Sequence, residues 1–177
     1  MKEITKEEAY KHEYKMYSIV LRQLNGINNG VQTTHGVCEY VWKHIGEPDL
    51  HKWISEDKTL VILNGGSTKD MDEIKSIFVE NNIAFETFEE EDLGGLTTSI
   101  CLLADERVWN QKDYPKFENF ADFVREQLYP NDPVTYTLAL TDPNDPDELE
   151  LMRAFEEYVG GKDNVIKKQI LNNLRTI

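Results

Sequence analysis

Residues Tyr17 to Tyr40, YSIVLRQLNGINNGVQTTHGVCEY, constrain the fold of this chain more than any other stretch. Tyr17 to Leu24 is apolar and β-branched with one charge, Arg22, near its end, which predicts a strand. Asn25-Gly26 and Asn28-Asn29-Gly30 then interrupt it with residues that accept turn conformations and cap helices. From Val31 the apolar residues return at helical spacing: Val31, Cys38, Val41 or Trp42, and Ile45. A strand, an Asn/Gly-rich loop and a helix thus follow one another, with the free N–H groups of the helix start facing the loop. Such a terminus suits an anion or a polarised carbonyl. Gly36 in mid-helix costs about 1 kcal/mol relative to Ala. Its presence predicts close approach of the helix to a neighbour.

Gln32 and His35 fall one helical turn apart, just inside this helix. His35 follows Val31 by four residues and precedes Cys38 by three, which sets it on the apolar stripe. Two readings stay open: a buried histidine donating to a backbone carbonyl, or a ring beneath a ligand held at the loop.

A second strand–loop–helix unit follows. Pro48 marks the end of the first helix region, and Asp49 to Asp57 reads as a short helix presenting Leu50, Trp53 and Ile54 to the core. Lys58 to Leu63 is a continuous apolar run, expected to be a strand covered on both faces. Asn64-Gly65-Gly66 ends it, and Ser67 with Asp70 forms a capping pair for a helix whose buried stripe is Met71, Ile74, Ile77 and Phe78. This loop matches neither the G-x-x-x-x-G-K-[ST] nor the G-x-G-x-x-G pattern, so it is a weak nucleotide motif. Ala84 to Phe88 and Thr97 to Ala104 complete a set of four strands, the last two antiparallel across the turn at Asp92 to Leu96. The expected fold is α/β, a three-layer α/β/α arrangement with a four-stranded mixed sheet.

The boundaries read as a helix or tail over 1–15, an α/β domain over 16–105, and a mostly helical C-terminal extension over 106–177 packed on it. Within the extension, Glu118 to Leu128 has helical spacing, Val134 to Leu140 reads as an edge strand, and Thr141 to Asp147 as a linker. Leu149 to Val159 and Asn164 to Leu174 read as amphipathic helices.

Composition narrows the function classes. Thirty-three acidic against nineteen basic residues give a net charge of −14. Nucleic-acid binders draw their non-specific affinity from a basic surplus that displaces counterions, and this chain has none. No apolar run approaches the length of a membrane span, and the charged start MKEITKEEAYKHEY lacks the apolar core of a secretion signal. Cys38 and Cys101 read as small buried apolar residues, which points to a reducing cytoplasm. His12, His35, His44 and His51 form no metal-binding signature, so no metal is expected.

The pattern from Met16 to Asp105 resembles the second class of peptidyl-tRNA hydrolases, the type found in archaea and eukaryotes, and within it a divergent branch of small proteins, several carried by bacteriophages. That family has an arginine in its first strand and a G-K-x-A-A-Q-x-x-H-A helix start. Arg22 matches the arginine, and Gln32-Thr33-Thr34-His35-Gly36 matches the Q-x-x-H-A part. Asp92 and Thr97, Thr98 or Ser99 stand where the family carries an aspartate after the third strand and threonines opening the fourth. Asn28 stands where the family has its catalytic lysine, and no lysine lies between Leu21 and Trp42. Gly95-Leu96 occupies the place of a family arginine and glutamine.

The resemblance implies hydrolysis of the ester between peptide and tRNA, with no cofactor. Asp92, Gln32, His35 and Thr98 would be the catalytic group, and Arg22, Asn28, Asn29 and Gly30 would bind the tRNA 3′ end or a nucleotide. The alternative is a binding protein on the same fold that holds a nucleotide, an RNA end or a host protein. The sequence leaves the oligomeric state open, and a homodimer is compatible with it.

Overall fold

Strand β1 (Tyr14–Val20) is buried at every position except Lys15, as expected of a central strand with both faces covered. It lies in the middle of a five-stranded mixed sheet of order β3-β4-β1-β2-β5 in a computed structural model that describes residues 5–24, 26–110, 112–114 and 146–177. β2 (Thr59–Asn64) runs parallel to β1, and β4 (Leu96–Asp105) antiparallel on its other side. β3 (Glu86–Glu90) pairs antiparallel with β4, and β5 (Arg175–Thr176) with β2. The chain is an α/β protein with a mixed sheet, as the apolar runs predict. The sheet has five strands instead of four because Arg175–Thr176 adds to the β2 edge. Two residues are too short to show a period of their own.

Two layers of helix cover the sheet. Helix α1 (Lys6–Ala9) precedes β1, with Thr5 and Glu8 in a reciprocal capping box. α2 (Ile27–His44) packs over β1, β3 and β4, and with α3 (Pro48–Lys52) and the π-helical turn Trp53–Asp57 it closes a core of Tyr14, Met16, Tyr40, Leu50, Cys101 and Leu103. The opposite face carries α4 (Thr68–Glu80), whose Met71 lies beside Ile19 at the Gly65 turn. The Ser67–Asp70 pair is a full capping box, and Met71, Ile74 and Phe78 are buried as the spacing predicts, whereas Ile77 is only half-buried.

Some expectations shift. β1 starts at Tyr14, three residues before Tyr17, and ends at Val20, because Leu24 N–H turns back to the Leu21 carbonyl. Cys101 is buried but Cys38 is exposed. Leu50 is fully buried and Trp53 packs on the core, whereas Ile54 is exposed. In β2 only Leu63 is fully buried and Leu60 is exposed, since its neighbour on the outer side is the two-residue β5.

The chain divides into two compact units, one of Met1–Glu106 with Ile170–Ile177 and a second of Arg107–Gln169. α5 (Glu106–Trp109), α6 (Pro146–Val159) and α7 (Lys162–Asn173) are the remaining helices described. In the second unit Gly160 and Gly161 adopt positive φ between α6 and α7, and Asn164 Nδ2 donates to the Val159 carbonyl at 2.7 Å. The helix expected over 118–128, the edge strand over 134–140 and most of the 141–147 linker lie outside the described residues; Pro146 and Asp147 belong to α6. Among the described residues, no helix is long and apolar enough to cross a membrane.

Candidate functional site

The sheet register gathers the separated sequence candidates at one end of the molecule. Val20 pairs with Asn64 and Ser99, and Glu90 with Leu96. The exits of β1, β2 and β3 and the entry of β4 therefore share one edge, and α2 starts there. Two loops are tied across this edge: Gly65 N–H donates to the Val20 carbonyl and Arg22 N–H to the Gly66 carbonyl, each at 2.8 Å. Leu21 N–H donates to the Thr98 carbonyl at 3.1 Å.

α2 presents an unusual inner face. Asn29, Gln32, Thr33, Gly36 and Tyr40 are its buried residues, whereas Ile27, Val31, Cys38, Trp42 and Ile45 are exposed. Of the apolar spacing read from the sequence, Val31, Cys38, Trp42 and Ile45 are exposed, while Val41 packs on the core. The buried polar groups of Gln32 and Thr33 meet strand hydroxyls, as burial requires. Ser18 Oγ donates to Thr33 Oγ1 at 3.1 Å, and Ser99 Oγ donates to the Gln32 carbonyl at 2.9 Å. Gly36 permits this approach: a Cβ there would collide with Ser99 Oγ and stand 2.7 Å from Cys101 Sγ.

A register shift between Phe88 and Glu89 supplies the second half of the site. Glu89 pairs with Thr97 and Phe88 with Ser99, which leaves Thr98 as an extra residue on β4. Such a bulge turns a side chain out of the usual alternation. Thr98 consequently joins Ser99 on the α2 side, while Thr97 faces α4, where Lys75 Nζ lies 3.4 Å from its hydroxyl and 2.8 Å from Glu89 Oε1. The Thr98 hydroxyl donates to Gln32 Oε1 at 2.7 Å, and Gln32 Nε2 donates to Glu90 Oε2 at 2.8 Å. One buried carboxamide therefore links the bulge to a half-buried carboxylate. One turn along α2, the exposed His35 ring stacks on Phe88 with centroids 4.4 Å apart and planes 13° from parallel. Of the two readings of His35, the buried one does not hold.

The remaining candidates sit at the rim. Gly26, with φ of 51°, is the N-cap of α2 and provides no capping side chain, and no acidic residue lies in the first turn. Asn28 and Gly30 are exposed there; Asn29 is buried, and its Oδ1 has no hydrogen-bond partner among the described residues. Asp92 lies exposed in the 3-10 turn Glu91–Leu93 of the β3–β4 hairpin. Arg22 is exposed, and its charge falls on Asp70. Asp70 is held below the ordinary carboxylate range chiefly by the Ser67 N–H and hydroxyl, and secondarily by Arg22. Gln32, Thr98 and His35 are thus brought onto one shelf; no hydrogen bond or ion pair joins Arg22 or Asp92 to Gln32. Glu90 and Phe88 complete the shelf. Sequence spacing carries no sign of either, because their roles arise from pairing across the sheet and from the bulge.

Among the described residues, no group of three or more histidine, cysteine, aspartate or glutamate side chains could hold a metal ion. Comparison with protein-family models, with curated proteins and with solved structures finds no match to this chain.

Proposed function

We propose that the chain is a divergent relative of the second-class peptidyl-tRNA hydrolases and that the Gln32–Thr98–Glu90 shelf cleaves the ester between peptide and tRNA. The observation that carries this reading is the 2.7 Å bond between Thr98 and Gln32. These two residues stand at separate matching positions of the family pattern, and the fold makes them direct partners. The water-activating group is a carboxylate of the hairpin, Glu90 oriented by Gln32 Nε2 or Asp92 two residues on. It takes a proton from water as the water oxygen attacks the ester carbonyl, and returns it to the departing ribose hydroxyl. The uncapped N–H groups of α2 stabilise the charge that builds on the carbonyl oxygen. Asn28, Asn29 and Gly30 border the substrate end, and Arg22 contacts phosphate. The free Cys38 thiol accords with a reducing cytoplasm as the site of action.

Purified protein incubated with a peptidyl-tRNA analogue tests this. Expected are turnover by the wild type and a loss of at least about 100-fold in one of Glu90→Gln and Asp92→Asn. Absence of turnover, or turnover unchanged in both variants, overturns the reading.

A specific observation favours a second reading, a binding protein on the same fold. Asn28 stands in place of the family lysine, and Asn29 Oδ1 is buried without a partner among the described residues, beside a helix start with no side-chain cap. These groups suit holding a ligand more than activating one. Native mass spectrometry of freshly purified protein that finds a nucleotide or RNA fragment retained, in the absence of turnover, selects this alternative.

A further inference from the structure

The outward stripe of α2 has a feature the hydrolase reading does not use. Ile27, Val31, Thr34, Cys38, Trp42 and Ile45 follow one another at intervals of three or four residues. At 3.6 residues per turn they fall within an arc of about 80°, opposite the buried face. Trp42 is 80 % exposed and Ile27 82 %, with Ile45 and Val31 also open. A run of large apolar side chains on one exposed helix face marks an interaction surface. The stripe is also symmetric about Cys38. Val31 and Ile45 lie seven residues to either side, and Thr34 and Trp42 four to either side.

We infer that α2 of one protomer packs antiparallel on α2 of a second copy, about a two-fold axis passing beside Cys38. That axis sets Val31 against the partner's Ile45, Thr34 against the partner's Trp42, and the two Cys38 residues against each other. A two-fold contact requires a self-complementary surface of this kind. Electrostatics single out the same face. Each chain carries −14, yet from Gly26 to Ile45 the only carboxylate or ammonium groups are Glu39 and Lys43, both off the arc. Two copies can meet here without apposing their acidic surfaces. A specific interface needs roughly 1,000 Å² buried in total, which the stripe and its flanks supply from both protomers together. This inference does not rest on the hydrolase reading.

Sedimentation of the full chain at about 100 μM and 0.5 M salt tests it, and screening of the net charge strengthens the dimer relative to low salt. The expected species is twice 20.6 kDa. Trp42→Glu raises its dissociation constant at least about 100-fold, as for a central aromatic anchor. Val79→Glu, on an exposed apolar residue of α4, leaves it unchanged. Copper–phenanthroline and dioxygen, which take two electrons from a pair of thiols, link the wild type and Cys101→Ser into a reducible dimer but not Cys38→Ser. A circular dichroism melt confirms that Trp42→Glu is folded. A monomer under these conditions, or a dimer that Trp42→Glu leaves intact, overturns the inference.

Discussion

The Thr98 hydroxyl donates to Gln32 Oε1 across 2.7 Å, joining the extra residue of a β-bulge to the second turn of α2. Both groups are buried, so removing Thr98 strands Gln32 Oε1, whereas the Thr98 hydroxyl keeps the Phe88 carbonyl at 3.2 Å as a second acceptor. Thr98→Val is expected to lose about 1–3 kcal/mol of stability. Gln32→Leu also removes the donor to Glu90 and falls in the same range or above it. In urea titrations the double variant should lose less than the two singles together, by about 0.5–3 kcal/mol. Strict additivity would mean that the two side chains do not act as a pair.

Gly36 faces two opposing tendencies. Alanine is the better helix former by about 1 kcal/mol. Its Cβ, however, meets Ser99 Oγ and Cys101 Sγ, and overpacking of this kind costs about 1–3 kcal/mol. Gly36→Ala should therefore lower the melting temperature, and Gly36→Val should lower it further. Shortening Ser99 to Ala in the Gly36→Ala background should recover part of the loss. A stabilised Gly36→Ala protein would show that the helix stands further from β4 than the structure has it.

Two surface carboxylates make stability pH-dependent in a predictable direction. Asp70 is held below its ordinary 3.8 by the Ser67 N–H, the Ser67 hydroxyl and the charge of Arg22; Glu89 is held below its ordinary 4.5 by the hydrogen bond and charge of Lys75. A lowered pKa means that the folded state binds fewer protons than the unfolded one. The stabilisation is complete above these ordinary values and disappears as pH falls through the lower folded values. Stability curves recorded downward from about pH 5 should thus flatten in Asp70→Asn and Glu89→Gln relative to wild type. An unaltered slope in both variants would exclude these pairings.

The two thiols should behave differently. Cys101 is buried between α2 and the sheet, and desolvation pushes it up to about 12. Cys38 is exposed. With a disulfide reagent at pH 8, in solution dilute enough to keep the chain monomeric and the α2 face uncovered, Cys38 should react at least about 100-fold faster than Cys101, which becomes reactive only on unfolding. Mass mapping of the modified peptide identifies which residue reacts; modification of Cys101 in the native protein would contradict its burial.

The first four strands, the second capping box and the two C-terminal helices are legible in the sequence because each is written locally: an apolar run, Ser67 with Asp70, a stripe such as Met71-Ile74-Phe78. What is not legible depends on partners distant in the chain. The spacing of Val31, Cys38, Trp42 and Ile45 reports a helix with an apolar face but not which way that face turns. Here a polar segment, Gln32 and Thr33, turns inward, because Ser18, Thr98 and Ser99 on the strands offer hydroxyls to it, while Val37, Tyr40 and Val41 carry the apolar contact further along the helix. The contact of Gln32 with Thr98 spans 66 residues and needs a bulge that no local signal announces. Glu90 reads as one member of an acidic run until the hairpin pairing singles it out. β5 is invisible for the plainest reason, since Arg175 and Thr176 become a strand only by lying beside Leu63 and Asn64.

That last pairing has a consequence for synthesis. The ribosome completes β4 at Asp105 long before it reaches Arg175, and at roughly 5–20 residues per second the interval lasts several seconds. Through that interval the outer rim of β2 offers its free amides and carbonyls to any passing strand. Premature termination between Asp105 and Arg175 would leave that rim open for good, so chains truncated there should be the sticky ones even though every residue of the Gln32 shelf is already in them.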